Sequence, residues 1–365
     1  MNTGNPIARA ALNAAGYLVG LRRAPPIPGS FRNILVVRQH DQLGDMMCII
    51  PTLRSLHDRY PGSVITLVAS PVNHEIMLEH PFLDRVILFD KRAILRSAGG
   101  FLKFIRQLRS VRYDLAIVPA TVSVSLTSGI IARLSGAPFR IGPGRLEFRD
   151  NPSKFLFTHP VDLDWSGTPG KHQSLRNADI LAPLKLAPSE PAYVLGLTPG
   201  EDAHAVALLA TLRRDHRLVF GIHPGAAKQG NRWPAERFAE IARRLHDEFH
   251  NGLIVTIGPK DAEILGRLAP LLDVPHVFVR NEPIRNVAAV INRLDFFISN
   301  DTGPLHIAGA LSPPVLGLFG PTDPKQWAPP GKKNRYIASS DGKIGSIGTD
   351  EVLAVSRVIL SRQAR

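Results

Sequence analysis

The chain has 365 residues, 44% of them apolar and 21% charged, the composition of a globular protein long enough for two domains of ordinary size. A single cysteine excludes an intramolecular disulfide and a cysteine-based metal cluster, and no apolar run reaches the roughly 18 residues of a spanning helix. Lys and Arg number 44 against 31 Asp and Glu, and the surplus of 13 positive charges favours polyanionic partners (nucleic acid, an anionic membrane face, phosphorylated substrates) without choosing among them.

In chain order, residues 1–30 read as an N-terminal extension. The stretch IARAALNAAGYLVGLRR at 7–23 carries no acid, ends on Arg22 and Arg23, and is broken off by Pro25, Pro26 and Pro28. It lacks the longer apolar core and the cleavage site of a signal peptide. Two readings stay open, a short helix or frayed extension on the body and an interfacial helix on anionic lipid. From Asn33 a strand–helix alternation begins. Ile34–Val37 is a short continuous apolar run, as in a buried parallel strand. A polar loop from Arg38 to Gly44 leads into a helix predicted over about Asp45–Tyr60, stopped by Pro61 and Gly62. Strands are expected at 64–69, 85–89, 114–118 and 138–141, with a helix on Leu102, Ile105, Leu108 and Val111. Residues 142–170 lose the pattern, a helical segment follows near 172–186, and Pro188, Pro191 and Pro199 mark a boundary near 185–200. Cys48 reads as a buried structural thiol.

The alternation restarts with a strand at 217–222. After Pro234 the spacing of Phe238, Ile241, Leu245 and Phe249 predicts a helix with one apolar face. Strands at 253–257, 275–279, 294–298 and 314–319 alternate with helices at 260–272, 284–293 and 303–311, and a last helix spans 349–362. The domains expected are therefore 31–190 and 191–345, with a C-terminal helix in 346–365. Both are α/β, doubly wound and Rossmann-like, with parallel sheets facing a central cleft. Ligands of such sheets bind beyond the carboxyl ends of strands, so the loops after strands matter most.

Four such loops stand out. Arg38-Gln-His-Asp-Gln-Leu-Gly-Asp45 brings two carboxylates, Asp41 and Asp45. Asp45 at a helix start reads first as an N-cap, and as a general base if it faces the cleft. Gly221 to Pro234 opens with His223-Pro-Gly-Ala and carries Lys228 and Arg232, two cations in a glycine-containing loop suited to phosphate. Its spacing is not that of a Walker loop. At Ile257-Gly-Pro-Lys-Asp261, Gly258 lets the backbone approach a ligand, or simply turns the chain. Ser299-Asn-Asp-Thr-Gly-Pro-Leu-His306 joins a strand to a helix. Asp301 and Thr302 can cap that helix, Gly303 permits close approach, and the helix start favours an anion. His306 falls in its first turn. Asp162-Leu-Asp164 has the spacing of a cation site but no third acidic partner nearby.

Taken together these segments resemble glycosyltransferase family 9, the group that contains the ADP-heptose:lipopolysaccharide heptosyltransferases. The resemblance covers about residues 33–330. It rests on Ile34-Leu-Val-Val-Arg, Leu43-Gly-Asp45 and Pro51-x-Leu-Arg54, then His172 and Arg176, then His223-Pro-Gly-Ala226 with Arg232-Trp-Pro234, and last Asn300-Asp-Thr-Gly-Pro-Leu-His306 followed by Gly320-Pro-Thr322. The resemblance implies a GT-B fold and an inverting, metal-independent transfer from a nucleotide sugar, with no cofactor. It implies Asp45 as base and the donor pyrophosphate at Thr302, Gly303 and His306, with Asp301 at the sugar hydroxyls. His223, Lys228, Arg232 and Gly258 complete the donor side. Asp41, Arg92 and Arg145 are acceptor-side candidates, as are Arg96, Arg140, Arg149 and Lys154. The partners implied are a nucleotide sugar and a phosphorylated or lipid-linked saccharide at the cytoplasmic membrane face. One position departs from the pattern: family members often carry lysine before the Arg-Trp element, where this chain has Asn231. Other readings fare worse. Aromatics are only 7% and do not interleave with basic residues, which disfavours a nucleic-acid-binding protein. No GxGxxG follows the first strand, which disfavours a dehydrogenase. A pseudoenzyme that only binds its ligand has no need of Asp45.

Overall fold

The computed structural model of the chain describes residues 26–40, 42–187 and 192–361, so Asp41 and the segment 7–23 lie outside the described residues. The chain divides into two units, Met1–Pro191 and Ala192–Arg365.

In the first unit seven strands form one sheet. They are β1 (Asn33–Arg38), β2 (Val64–Ala69), β3 (Arg85–Leu88), β4 (Leu115–Ile117), β5 (Phe139–Leu146), β6 (Arg149–Asp150) and β7 (His159–Leu163). The order is β3-β2-β1-β4-β5-β6, with β7 also paired to β5. All pairs are parallel except the short β5–β6 hairpin. The central strands are buried on both faces, and β1 reads Ile-Leu-Val-Val accordingly. One face packs Leu35, Val37, Val68 and Ala116 against Phe104 and Leu108 of the helix Ala98–Leu108. Cys48 is fully buried.

Three expectations need correction here. The helix expected over Asp45–Tyr60 is two helices, Leu43–Met47 and Ile50–Arg59. Pro51 sits in the first turn of the second and has no N–H to give to the carbonyl of Met47. The ladder instead steps through Ile49 N–H to Met46 O and resumes at Leu53 N–H to Ile49 O, 3.0 Å. The segment 172–186 is α-helical only over Gln173–Ala178. It tightens into a 3₁₀ turn, Asp179–Leu184, which contains Pro183. The supposedly irregular 142–170 extends β5 to Leu146 and then supplies β6 and β7.

The second unit holds six parallel strands: β8 (Val219–His223), β9 (Gly252–Ile257), β10 (His276–Arg280), β11 (Phe296–Asn300), β12 (Val315–Phe319) and β13 (Arg335–Ala338). Their order is β10-β9-β8-β11-β12-β13. The helix Ala235–Phe249 buries Phe238, Ile241 and Leu245, the spacing read from sequence. Those residues pack with Phe220, Ile222, Val255, Phe296, Leu316 and the helix Thr349–Ser361 into one core. The helix Pro199–Asp215 opens on a capping box: Thr198 Oγ1 accepts from Glu201 N–H, and Glu201 accepts from Thr198 N–H at 2.7 Å.

Candidate active site

A doubly wound sheet offers its ligand crevice where the strand order reverses, beyond the carboxyl ends of the two strands flanking the reversal. In the first unit those strands are β1 and β4. Arg38 is the last residue of β1 and is 3% exposed. Its Nη1 donates to Pro119 O (3.1 Å), just past β4, and its Nη2 to Asp45 Oδ1 (3.0 Å). One guanidinium thus fastens both strand ends and a carboxylate, using the fixed fork that lysine lacks. Burial pulls the Arg38 pKa below its ordinary value, opposed by the charge of Asp45. Asp45 is not a cap. Gln42 holds the N-cap position, no side chain makes the capping hydrogen bond, and the Asp45 carboxylate turns back to Arg38. Beside them Gln39 Nε2 donates to Ser125 Oγ at 3.0 Å, adding a polar wall after β4.

In the second unit the reversal lies at β8 and β11, which end in His223 and Asn300. Asn300 stitches the loops that follow. Its Nδ2 donates to Pro224 O (2.8 Å), and its Oδ1 accepts from Trp233 N–H (3.1 Å). Trp233 is fully buried and donates its indole N–H to Ile347 O. Asn231 then faces Asp301, donating to its Oδ2 at 3.0 Å. Burial raises the Asp301 pKa above the usual carboxylate value, against a hydrogen bond from Thr322 and the positive charge of Lys228. His306 Nε2 lies 4.0 Å from Asp301 Oδ1. Thr302 is the N-cap of the helix Gly303–Gly309 but makes no side-chain cap, and neither does Asp301, contrary to the capping expected of both. The structure therefore brings Asp301, His306, Asn231 and the start of that helix together, with the exposed Lys228 near Asp301.

Asp261 organises the neighbouring loops and was not singled out from the sequence. Its Oδ2 accepts from Gly258 N–H (2.9 Å) and lies 3.9 Å from His223 Nε2. A Cβ on Gly225 would come within 2.1 Å of this carboxylate, and one on Gly258 within 2.7 Å. Both glycines make room for Asp261, which is a structural reason for them independent of any ligand. His223 is also turned inward: its Nδ1 is 3.0 Å from Thr256 O, a carbonyl that only accepts, so Nδ1 carries the proton. Burial holds the His223 pKa down, with Asp261 opposing. Arg232 Nε donates to Ala226 O at 2.8 Å and closes its own loop.

The remaining candidates stand apart from these two clusters. Arg92 is exposed on the helix Lys91–Arg96, and Arg145 is exposed on β5. His172 caps the helix Gln173–Ala178. Arg176 donates to Lys171 O and Pro169 O and stacks over Trp165 at 5.0 Å, so this pair fastens the loop before its own helix. Asp162 projects from the exposed face of β7, and Asp164 accepts from Ser166 N–H in the turn that follows.

Comparison with known proteins agrees with this layout. The family model described as glycosyltransferase family 9 (heptosyltransferase) matches residues 101–347. Lipopolysaccharide heptosyltransferase 2 of Escherichia coli strain K12 is 26% identical over 312 residues, covering 81% of this chain and 85% of the relative. Among solved structures, the family 9 glycosyltransferase from Veillonella parvula superposes with a TM-score of 0.81 at 20% identity, covering 93% of this chain and 100% of that one. The ADP-heptose lipopolysaccharide heptosyltransferase II of E. coli superposes at 0.76 and 23%, covering 91% and 100%. These superpositions identify the fold as GT-B.

Proposed function

The chain belongs to glycosyltransferase family 9, and from that premise we propose that it moves a heptose from ADP-heptose onto a lipopolysaccharide core or a related cell-surface saccharide at the cytoplasmic membrane face. The donor and acceptor are taken from relatives that carry those words in their names. The observation that carries the chemistry is the buried Arg38–Asp45 pair at the reversal of the first sheet.

In this reading Asp45 removes the proton from the acceptor hydroxyl, and Arg38 fixes the carboxylate through Oδ1. The acceptor oxygen attacks the anomeric carbon opposite the leaving diphosphate. A new C–O bond forms as the C–O bond to the diphosphate breaks, and ADP leaves with the electron pair and inverted product behind it. The charge gathering on the diphosphate is met by Lys228, by the uncapped N–H groups at Gly303 and by His306. Asp301 and Asn231 hold the sugar hydroxyls. Arg92 and Arg145 attract acceptor phosphates.

A second reading keeps the chemistry and changes the donor, because Asn231 stands where family members often have lysine. Thermal-shift and calorimetric measurements with ADP, UDP, GDP and ADP-heptose separate the two, since a ligand bound only by the folded state raises the melting temperature by mass action. Selective stabilisation by ADP and ADP-heptose, weakened in His306→Ala, is expected. A preference for UDP or GDP overturns the heptose donor and keeps the family.

A further inference from the structure

Four of the seven exposed large apolar side chains described in the first unit lie at one edge of its sheet, while Val122, Ile130 and Phe148 lie elsewhere. Val72 (49% exposed) follows β2, Leu88 (41%) ends β3, and Phe101 (44%) and Leu102 (59%) lie in the helix reached from β3. β2 and β3 are neighbours, with Ala69 opposite Leu88, so these residues sit along the carboxyl edge of the sheet, the edge on which Arg38 ends β1. The same stretch is wholly basic. From Lys91 to Tyr113 there are seven Lys and Arg and no Asp or Glu. The flanking acids are occupied: Asp90 caps the helix Lys91–Arg96, and Asp114 accepts from the N–H groups of Arg32 and Asn33. Lys91, Arg92, Arg96, Lys103 and Arg106 are all exposed. On the helix Ala98–Leu108, Phe104 and Leu108 are buried in the core and fix the helix in place. Leu102, Lys103 and Arg106 share the opposite, outward face at helical spacing.

We propose that this face, Lys91 to Arg106 with Leu102 at its centre, docks on an anionic lipid bilayer. A surface that is basic and apolar at once matches the two layers of a membrane interface. Cations meet lipid phosphates while Leu102 and Phe101 reach the acyl boundary. A free phosphosaccharide or a nucleic acid has no use for an outward leucine. The proposal deepens the glycosyltransferase reading by placing a lipid-linked acceptor at the sheet edge that carries Asp45, yet its evidence is the surface alone.

The test is co-sedimentation of the full chain with vesicles of equal parts phosphatidylglycerol and phosphatidylethanolamine, against pure phosphatidylcholine. Binding to the first and not the second, weakened by salt, is expected. Neutralising Lys91, Lys103 and Arg106 together to Gln should weaken it about 100-fold, from roughly fivefold per basic residue near an anionic surface. Leu102→Gln should weaken it at low and high salt alike. Unchanged melting temperatures and an unchanged response to ADP certify the fold, and if the triple variant fails to fold, Lys103→Gln and Leu102→Gln decide singly. No vesicle binding by the parent overturns the proposal. So does a triple variant that binds like the parent, which would move the membrane contact elsewhere, for instance to residues 7–23. Transfer to a soluble, lipid-free acceptor is scored separately. Transfer without vesicle binding sinks the docking surface alone, and vesicle binding without transfer sinks the enzymatic reading alone.

Discussion

Asp45 accepts a hydrogen bond from a guanidinium that is itself almost fully buried, so two effects of its removal must be kept apart. Asp45→Asn should lower kcat by about 10²–10⁴, the usual worth of a general base, with donor affinity unchanged because the donor candidates lie in the other unit. It should also destabilise the first unit, since breaking a buried pair from one side costs about 3–5 kcal/mol. Activity and melting temperature measured on the same sample separate them, and near-parental turnover in folded protein refutes the base. Asp301 leads to the opposite sign. Burial raises its pKa, so ionising it costs more in the folded than in the unfolded protein. Below the ordinary carboxylate range the penalty is absent. As pH rises from there through the folded pKa, it grows and then stays. Asp301→Asn should therefore melt above the parent at neutral pH, with the gap closing on acidification, while donor binding weakens. Equal melting at neutral pH would contradict the buried charge. Asp45 and Asp301 were visible in the sequence because each lies within two residues of a glycine where a helix follows an apolar strand. Arg38 and Asp261 were not, because what marks each of them is in part a long-range contact (Arg38 with Pro119 O just past β4, Asp261 with the loop of Gly225) that no local spacing points to.

At the scale of elements, the legible strands were those buried on both faces. Ile34–Val37 and Phe296–Ile298 are continuous apolar runs that a solvent-facing loop would not hold. β7 escaped because His159-Pro-Val-Asp-Leu buries only Val161 and Leu163, with Pro160 and Asp162 masking a five-residue alternation. β13 is an edge strand with Ile337 alone buried. The Pro51 break was equally hidden, since proline in a first turn and proline inside a helix look alike until the helix start is known. The loops after β8 and β9 meet at the Asp261 carboxylate, which crowds Gly225 and Gly258, and this can be probed. Gly225→Ala places a methyl against Asp261 and should cost about 1–3 kcal/mol, as other overpacked sites do. Asp261→Ala in the same chain should recover part of that loss. Denaturant melts of the two single variants and the double variant measure the coupling. Strict additivity would mean that Gly225 is required for some other reason.

For the molecule as a whole, each unit has a described core cluster made of its own residues. The cluster around Leu35, Val68 and Phe104 lies between Leu35 and Phe157, and that around Phe238 and Phe296 lies between Phe220 and Leu360. Among the described residues no strand pairing joins the two sheets. A unit with its own closed core and sheet has what independent folding requires. The polar cluster of Asp301, Asn231, His306 and Lys228 is likewise built from the second unit alone. Residues 192–365 expressed by themselves should therefore melt cooperatively and bind ADP, gaining about 2.7 kcal/mol of stability at a hundredfold excess over Kd, whereas residues 26–191 should fold without any response to ADP. Calorimetry on both fragments reads this directly. A second unit that fails to fold refutes the self-sufficient core. One that folds but ignores ADP, when the full chain responds, shows that the nucleotide draws part of its affinity from the first unit, and the division of labour between base and donor site would have to be redrawn.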